Sequence, residues 1–222
     1  MSNNIIHVTG VASLAIQVIT SIIDTYILAI HTHPKNKDIK SLLFVENCVN
    51  YIEMFFYIWM VYSFSTIKNI TRYRYYDWSI TTPTMLFSYS MYLLIRQKEE
   101  RNEPHDLWTL VNAEKYVLAV IFVLNWLMLY FGYQGEMGKM KTTVSTALGF
   151  IPFILMFYII YEKYAKHTTL GSITFVFFVG VWAMYGVAAL MSYKVKNVMY
   201  NILDLFAKNF FGLFLAYMVV FR

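Results

Sequence analysis

Seven apolar stretches of spanning length follow one another along the chain, at 8–30, 42–64, 75–95, 111–131, 144–164, 170–191 and 198–221, each ended by charged, Gly or Pro residues. A helix crossing the hydrocarbon core needs about 20 residues, and each stretch meets that length. The stretches, A to G, are apolar on most faces, whereas barrel strands alternate over segments of about 10 residues, so the pattern predicts helices. Connections are short. The most charged is 96–106, which carries Glu99, Glu100, Glu103 and Pro104 between C and D.

Composition narrows the class further. The 222 residues are 59% hydrophobic, 19% aromatic and 14% charged, against roughly 25% charged in soluble domains. A water-soluble globule is excluded, and seven spans use almost the whole length, so one transmembrane domain over 1–222 is expected, an all-α seven-helix bundle in a lipid bilayer. A lone Cys48 provides no disulfide framework and no cysteine metal site. The net charge of +5 comes from Lys and Arg between apolar runs, which reads as juxtamembrane charge and not as a nucleic-acid surface. Residues 1–10 lack a basic leader pattern, so no cleaved signal is expected. His31 and His33, beside Pro34, read as loop residues, and without a metal or nucleophile cluster the chain is not expected to be an enzyme.

Orientation follows from the basic residues between the spans and at their ends. Ten lie on the side of the A–B, C–D and E–F connections and the C-terminus: Lys35, Lys37, Lys40, Arg96, Lys98, Arg101, Lys115, Lys163, Lys166 and Arg222. Six lie on the other side: Lys68, Arg72, Lys139, Lys141, Lys194 and Lys196. The bias predicts an outside N-terminus and a cytoplasmic C-terminus.

Charge inside the spans is the informative part. A charged residue at bilayer depth costs at least ~2.5–3.5 kcal/mol, so it faces the bundle interior and marks function. Here these residues are Asp24, Glu46, Glu53, Arg74, Asp77, Asp204 and Lys208. Lys208 is roughly 15 Å from either end of G, too deep to snorkel easily. Asp204 is one turn earlier on the same face. A buried amine facing carboxylates serves either as one member of an ion pair or as the nitrogen of a Schiff base, which needs a counterion when protonated.

The run from Arg74 through Asp77, Trp78, Thr81 and Thr82 to Pro83 resembles the third-helix signature of microbial (type 1) rhodopsins. Asp204 and Lys208, followed by Phe211 and Gly212, resemble the seventh-helix D-x-x-x-K motif, and Trp182 with Tyr185 resembles the sixth-helix W-x-x-Y. The resemblance covers nearly the whole chain. It implies all-trans retinal bound covalently to Lys208, with Asp77 as primary counterion and proton acceptor and Asp204 as its second member. Arg74 would stabilise the two carboxylates from the outer side, and Thr81 would hydrogen-bond Asp77. The retinal walls implied are Trp78, Thr82, Met85, Met128, Met156, Trp182 and Tyr185. Tyr57 and Tyr185 would donate to Asp204. Relatives form dimers, trimers or pentamers, which implies homo-oligomeric assembly of this chain as well.

The departures matter as much as the matches. Proton pumps of the family carry a carboxylate two turns beyond the Thr partner of the counterion, where this chain has Ser88, and a serine has no proton to reload the site at neutral pH. The outer carboxylates common near the F–G connection are missing from 191–197. Asn125 stands where some pumps have Asp, Gly186 where a Pro is common, and the fifth-helix aromatic of many relatives is missing near Gly149. On segment B, Glu46, Asn50 and Glu53 share one face over about 10.5 Å. With Asn201, Asp204, Lys208 and Asn209 on G they read as a cation path. Channelrhodopsins are similar in their second-helix glutamates and their mid-depth Glu–Asn–Ser constriction. The corresponding set here is Glu53, Asn209 and Ser13, with Glu46 at an inner gate. The Asp77, Thr81, Ser88 triplet and the glutamates of B resemble the group 1 rhodopsins of giant viruses. This implies a light-gated channel for monovalent cations or protons, opened by retinal isomerisation and proton transfer to Asp77. An outward proton pump is the alternative, and a sensory rhodopsin a third reading.

Overall fold

The computed structural model describes residues 4–221. Residues 1–3, part of the stretch read for a leader, and Arg222, counted with the cytoplasmic charges, lie outside the described residues. Seven helices account for nearly all of the rest, with no strand among the described residues: α1 Asn4–Ala29, α2 Lys37–Tyr62, α3 Thr71–Glu100, α4 Leu107–Glu136, α5 Thr142–Lys163, α6 Thr169–Ala189 and α7 Tyr193–Phe221. Each helix packs on its neighbour in sequence, and α7 closes the ring against α1 and α2. The helices overrun the apolar stretches at several ends. Lys37, Lys40, Ser41, Arg72, Arg96, Lys98, Glu99 and Glu100 keep at least partial exposure on helical backbone, so the helices continue past the apolar runs. His33, whose Nδ1 accepts from the Lys35 amide, lies in the α1–α2 connection as expected.

Five helices, α1, α4, α5, α6 and α7, are long and apolar enough to cross a membrane by length and composition. The polar content of α2 and α3 points inward: Glu46, Asn50 and Glu53 on α2, and Arg74, Asp77 and Thr81 on α3, are all buried. Large apolar side chains face outward instead, among them Ile22, Phe55, Trp108, Tyr116, Ile154 and Val176. This arrangement suits a lipid surround, where the outer face gains from apolar contact and the interior can hold paired charge.

Pro83 lies within α3 and cannot donate to the Ser79 carbonyl one turn earlier. The Trp126 indole of α4 donates to that carbonyl at 2.9 Å, so the lost helix bond is replaced across the α3–α4 contact. In α7 the backbone widens into a π turn at Leu205–Asn209. Such bulges are frequent at functional sites, and this one carries Lys208. Outside the spans, the Asp106 carboxyl caps α4 by accepting from the Thr109 amide, which holds it below the usual carboxylate range.

Candidate functional site

Three helices converge on Lys208. Its Nζ lies 2.9 Å from Asp77 Oδ2 on α3, 3.0 Å from Glu53 Oε1 on α2 and 3.8 Å from Asp204 Oδ1 one turn back on α7. All four side chains are buried. Asp77 and Asp204 stand where the motifs placed them. Glu53 is also a direct partner of the amine, whereas its sequence reading was that of a gate residue only. The i, i+7 spacing from Glu46 puts Glu53 two turns along α2, level with the π turn.

The second cation is Arg74. Its Nη1 reaches Asp204 Oδ2 at 3.1 Å and the Tyr57 hydroxyl at 3.1 Å, its Nη2 bonds Asn201 Oδ1, and its Nε donates to Asn197 Oδ1 at 3.4 Å. Tyr57 and Tyr185 donate to the two oxygens of Asp204 at 2.7 and 2.8 Å, as the motifs implied. Two cations thus face three carboxyl groups in one buried, coupled cluster. Breaking a buried pair by removing one partner costs ~3–5 kcal/mol. Arg74→Ala is therefore expected to lower unfolding stability by about that amount, measured as the midpoint in mixed micelles, with Arg74→Lys recovering part of it.

On its other side Lys208 ends a cavity of about 770 Å³, open mouth included. Trp78, Thr82, Met85, Met128, Trp182 and Tyr185 line it, six of the seven walls expected. Met156 does not: it is fully buried in the apolar core, and Phe153, one turn earlier on α5, takes the wall position. Tyr57, grouped with the retinal-binding residues as a donor to Asp204, lies on the carboxylate side and outside the cavity. The far end is not short of aromatics, because Phe150 and Phe153 flank Gly149 there. A Cβ on Gly186 would come within 2.6 Å of the Phe150 ring, so the missing side chain of α6 is what admits that ring.

Further expectations change in space. The Thr81 hydroxyl donates to the backbone carbonyl of Asp77 at 3.0 Å and not to its carboxylate, the usual back-bonding of a helical threonine. Thr82 bonds the Trp78 carbonyl at 2.6 Å and accepts from Asn125 at 2.8 Å, so the Asn125 position joins α4 to the cavity wall. Ser88 is buried and donates to the Thr84 carbonyl at 3.2 Å. Ser13 bonds the Asn201 carbonyl at 2.7 Å, two turns along α1 from the level of Lys208. The α1 hydroxyl that meets Asn209 belongs to Thr20, at 2.7 Å. A carboxylate also stands at the far end of the bundle: Glu136 of α4 pairs with Lys196 at 2.6 Å and accepts from Asn69 at 2.9 Å.

Sequence reading singled out Ser13 and Asp24 on α1 but missed Gln17, Thr20 and Ser21, which join them into one polar stripe. Ser13, Gln17, Thr20, Ser21 and Asp24 are all buried, at spacings near one helical turn, and face α2 and α7. That periodicity was available as a signal, but short hydroxyls and one glutamine barely alter the hydropathy of an apolar span. With Glu46, Asn50 and Glu53 on α2 and Asn201, Lys208 and Asn209 on α7, the stripe forms a buried polar column. Gln17, Ser21, Asp24, Glu46, Asn50, Glu53 and Asn209 each keep at least one polar atom without a protein partner. Buried polar atoms of this kind are normally satisfied by water or ions.

The fold and site together define a seven-helix membrane protein built around a buried lysine, with carboxylates on one side and an aromatic cavity on the other. Residues 9–221 match the Bacteriorhodopsin-like protein family, and the chain belongs to that family, whose members bind retinal through a lysine. Among solved structures it is similar to the viral rhodopsin OLPVRII, at 27% identity and TM-score 0.82, with 96% of each chain covered. It shares the fold of a blue light-absorbing proteorhodopsin from Med12, at 19% identity and TM-score 0.74, covering 96% of each chain. It also shares the fold of halorhodopsin, described as a light-driven chloride pump, at 14% identity and TM-score 0.72, covering 99% of this chain and 96% of that one. No curated protein sequence matches the chain significantly.

Proposed function

We propose that the protein is a retinal-binding, light-gated cation channel with its N-terminus outside and its C-terminus cytoplasmic. The observation that carries this reading is the buried polar column between α1, α2 and α7, with Glu46, Asn50 and Glu53 on one wall. Rows of carboxylates and amides with spare acceptor atoms suit a cation that has shed part of its hydration. A chloride path would call for cationic walls, and the two buried cations at the centre, Lys208 and Arg74, are both engaged by carboxylates.

The apolar cavity fits retinal, since it is walled by Trp78, Met85, Met128 and Trp182 and ends at a lysine nitrogen. Bound there, retinal supplies visible absorption and a photoisomerisation that redirects the proton held on Lys208 Nζ. Asp77 Oδ2, at 2.9 Å, is the oxygen placed to take that proton. Proton transfer to Asp77 would remove the charge pair joining α3 to α7 and with it the positive charge that faces Glu53. With both contacts weakened, α2, α3 and α7 part enough for water to enter beside Glu53 and Asn50. Ser88 offers no carboxyl for fast return of the proton, which suits a channel better than a pump.

Photocurrents in a voltage-clamped cell decide the matter. A channel passes ions down their gradient, so the light-induced current is expected to reverse sign near the equilibrium potential of the permeant cation. A current that stays outward at every voltage would identify a proton pump, and no current at all would favour a sensory role.

A further inference from the structure

Asp24 is a fully buried carboxylate that the light reaction does not use. Asn50 Nδ2 of α2 donates to its Oδ2 at 3.0 Å. A Cβ on Gly212 of α7 would sit 2.7 Å from Asp24 Oδ2 and 2.8 Å from Asn50 Nδ2, so the absent side chain allows the pair to rest on the α7 backbone. The level of this contact follows from its neighbours. Thr20 meets Asn209 and Glu53 meets Lys208. Asp24 is four residues further along α1 and Asn50 three residues back along α2, which places their contact about 5–6 Å from Lys208 toward Glu46. Asp24 Oδ1 and Asn50 Oδ1 have no protein partner. Asp77, Asp204 and Glu53 each touch a cationic side chain, and Asp24 touches none among the described residues.

We propose that Asp24 is a cation-coordinating station between Glu53 and Glu46, held shut in the dark by the Asn50 hydrogen bond over Gly212. The inference rests on the channel reading. A carboxylate oxygen and an amide oxygen, both hard ligands, supply the coordination when the bond opens. The Asp24 charge discriminates by valence, since its attraction doubles for a divalent ion.

Bi-ionic photocurrents test the station. Asp24→Asn keeps the size of the side chain and removes its charge. It is expected to retain the visible band while its permeability to calcium relative to sodium falls severalfold, with Asp24→Glu recovering part of the ratio. Gly212→Ala forces the Asp24–Asn50 pair apart and is expected to slow closing after the light is switched off, with the visible band again as the check on folding. Wild-type ratios in Asp24→Asn together with wild-type closing in Gly212→Ala would overturn the inference while a reversing wild-type current kept the channel reading intact. A wild-type current that never reverses would overturn both.

Discussion

Lys208→Ala is expected to abolish the visible absorption band completely after incubation with all-trans retinal, because the aromatic cavity ends on that nitrogen and, among the described residues, on no other amine. The same substitution removes the cation that Asp77 and Glu53 share at 2.9 and 3.0 Å. Stranding buried carboxylates costs ~3–5 kcal/mol, so the retinal-free variant is expected to unfold at a lower midpoint than the retinal-free wild type. Lys208→Arg separates the two effects. A guanidinium restores charge for the carboxylates and recovers stability, but it cannot form the linkage, so no band returns. A visible band retained by Lys208→Ala would show that Lys208 is not the attachment point, and a wild type without a visible band would take the chain out of retinal chemistry.

That experiment concerns the part of the site most legible from residue order. Arg74, Asp77, Asp204 and Lys208 stand on two helices at one-turn spacings, and a charge in an apolar span has little reason to be there except function. The seven spans were legible for the same reason, since lipid leaves the helical backbone few alternatives. Contacts between helices were harder to foresee. Whether Ser13 or Thr20 reaches Asn209 depends on the axial shift of α1 against α7, and a one-turn error moves a partner by about 5.4 Å. The resemblance implied a hydrogen bond from Thr81 to Asp77, and the backbone carbonyl of Asp77, not its carboxylate, accepts it. Met156 lost its place on the cavity wall to Phe153 through the same kind of one-turn ambiguity. The π turn at Leu205–Asn209 left no mark in the residue pattern, although it sets the height of the lysine.

Glu53 is where the spatial arrangement changes the expected chemistry most. A free ammonium has three protons and can serve Asp77 and Glu53 together, as the 2.9 and 3.0 Å contacts show. A covalently linked Nζ keeps a single N–H, so the two carboxyl groups compete for it, and the one left over is free to meet water or a cation. Glu53→Ala is therefore expected to act on two readouts at once. The absorption maximum shifts, because excitation moves positive charge away from Nζ and a nearby acidic group responds to that movement. The photocurrent falls by about tenfold or more, equivalent to ~1.4 kcal/mol lost where the path is narrowest, or its cation preference changes. Asp77→Asn sets the comparison: it too shifts the absorption, but it removes the nearest acceptor for the Nζ proton and is expected to suppress channel opening. A Glu53→Ala protein with shifted absorption and wild-type current would keep Glu53 as a partner of the lysine and take it out of the gate. Unchanged absorption with a diminished current would do the reverse, leaving Glu53 to the path and the Nζ proton to Asp77 alone.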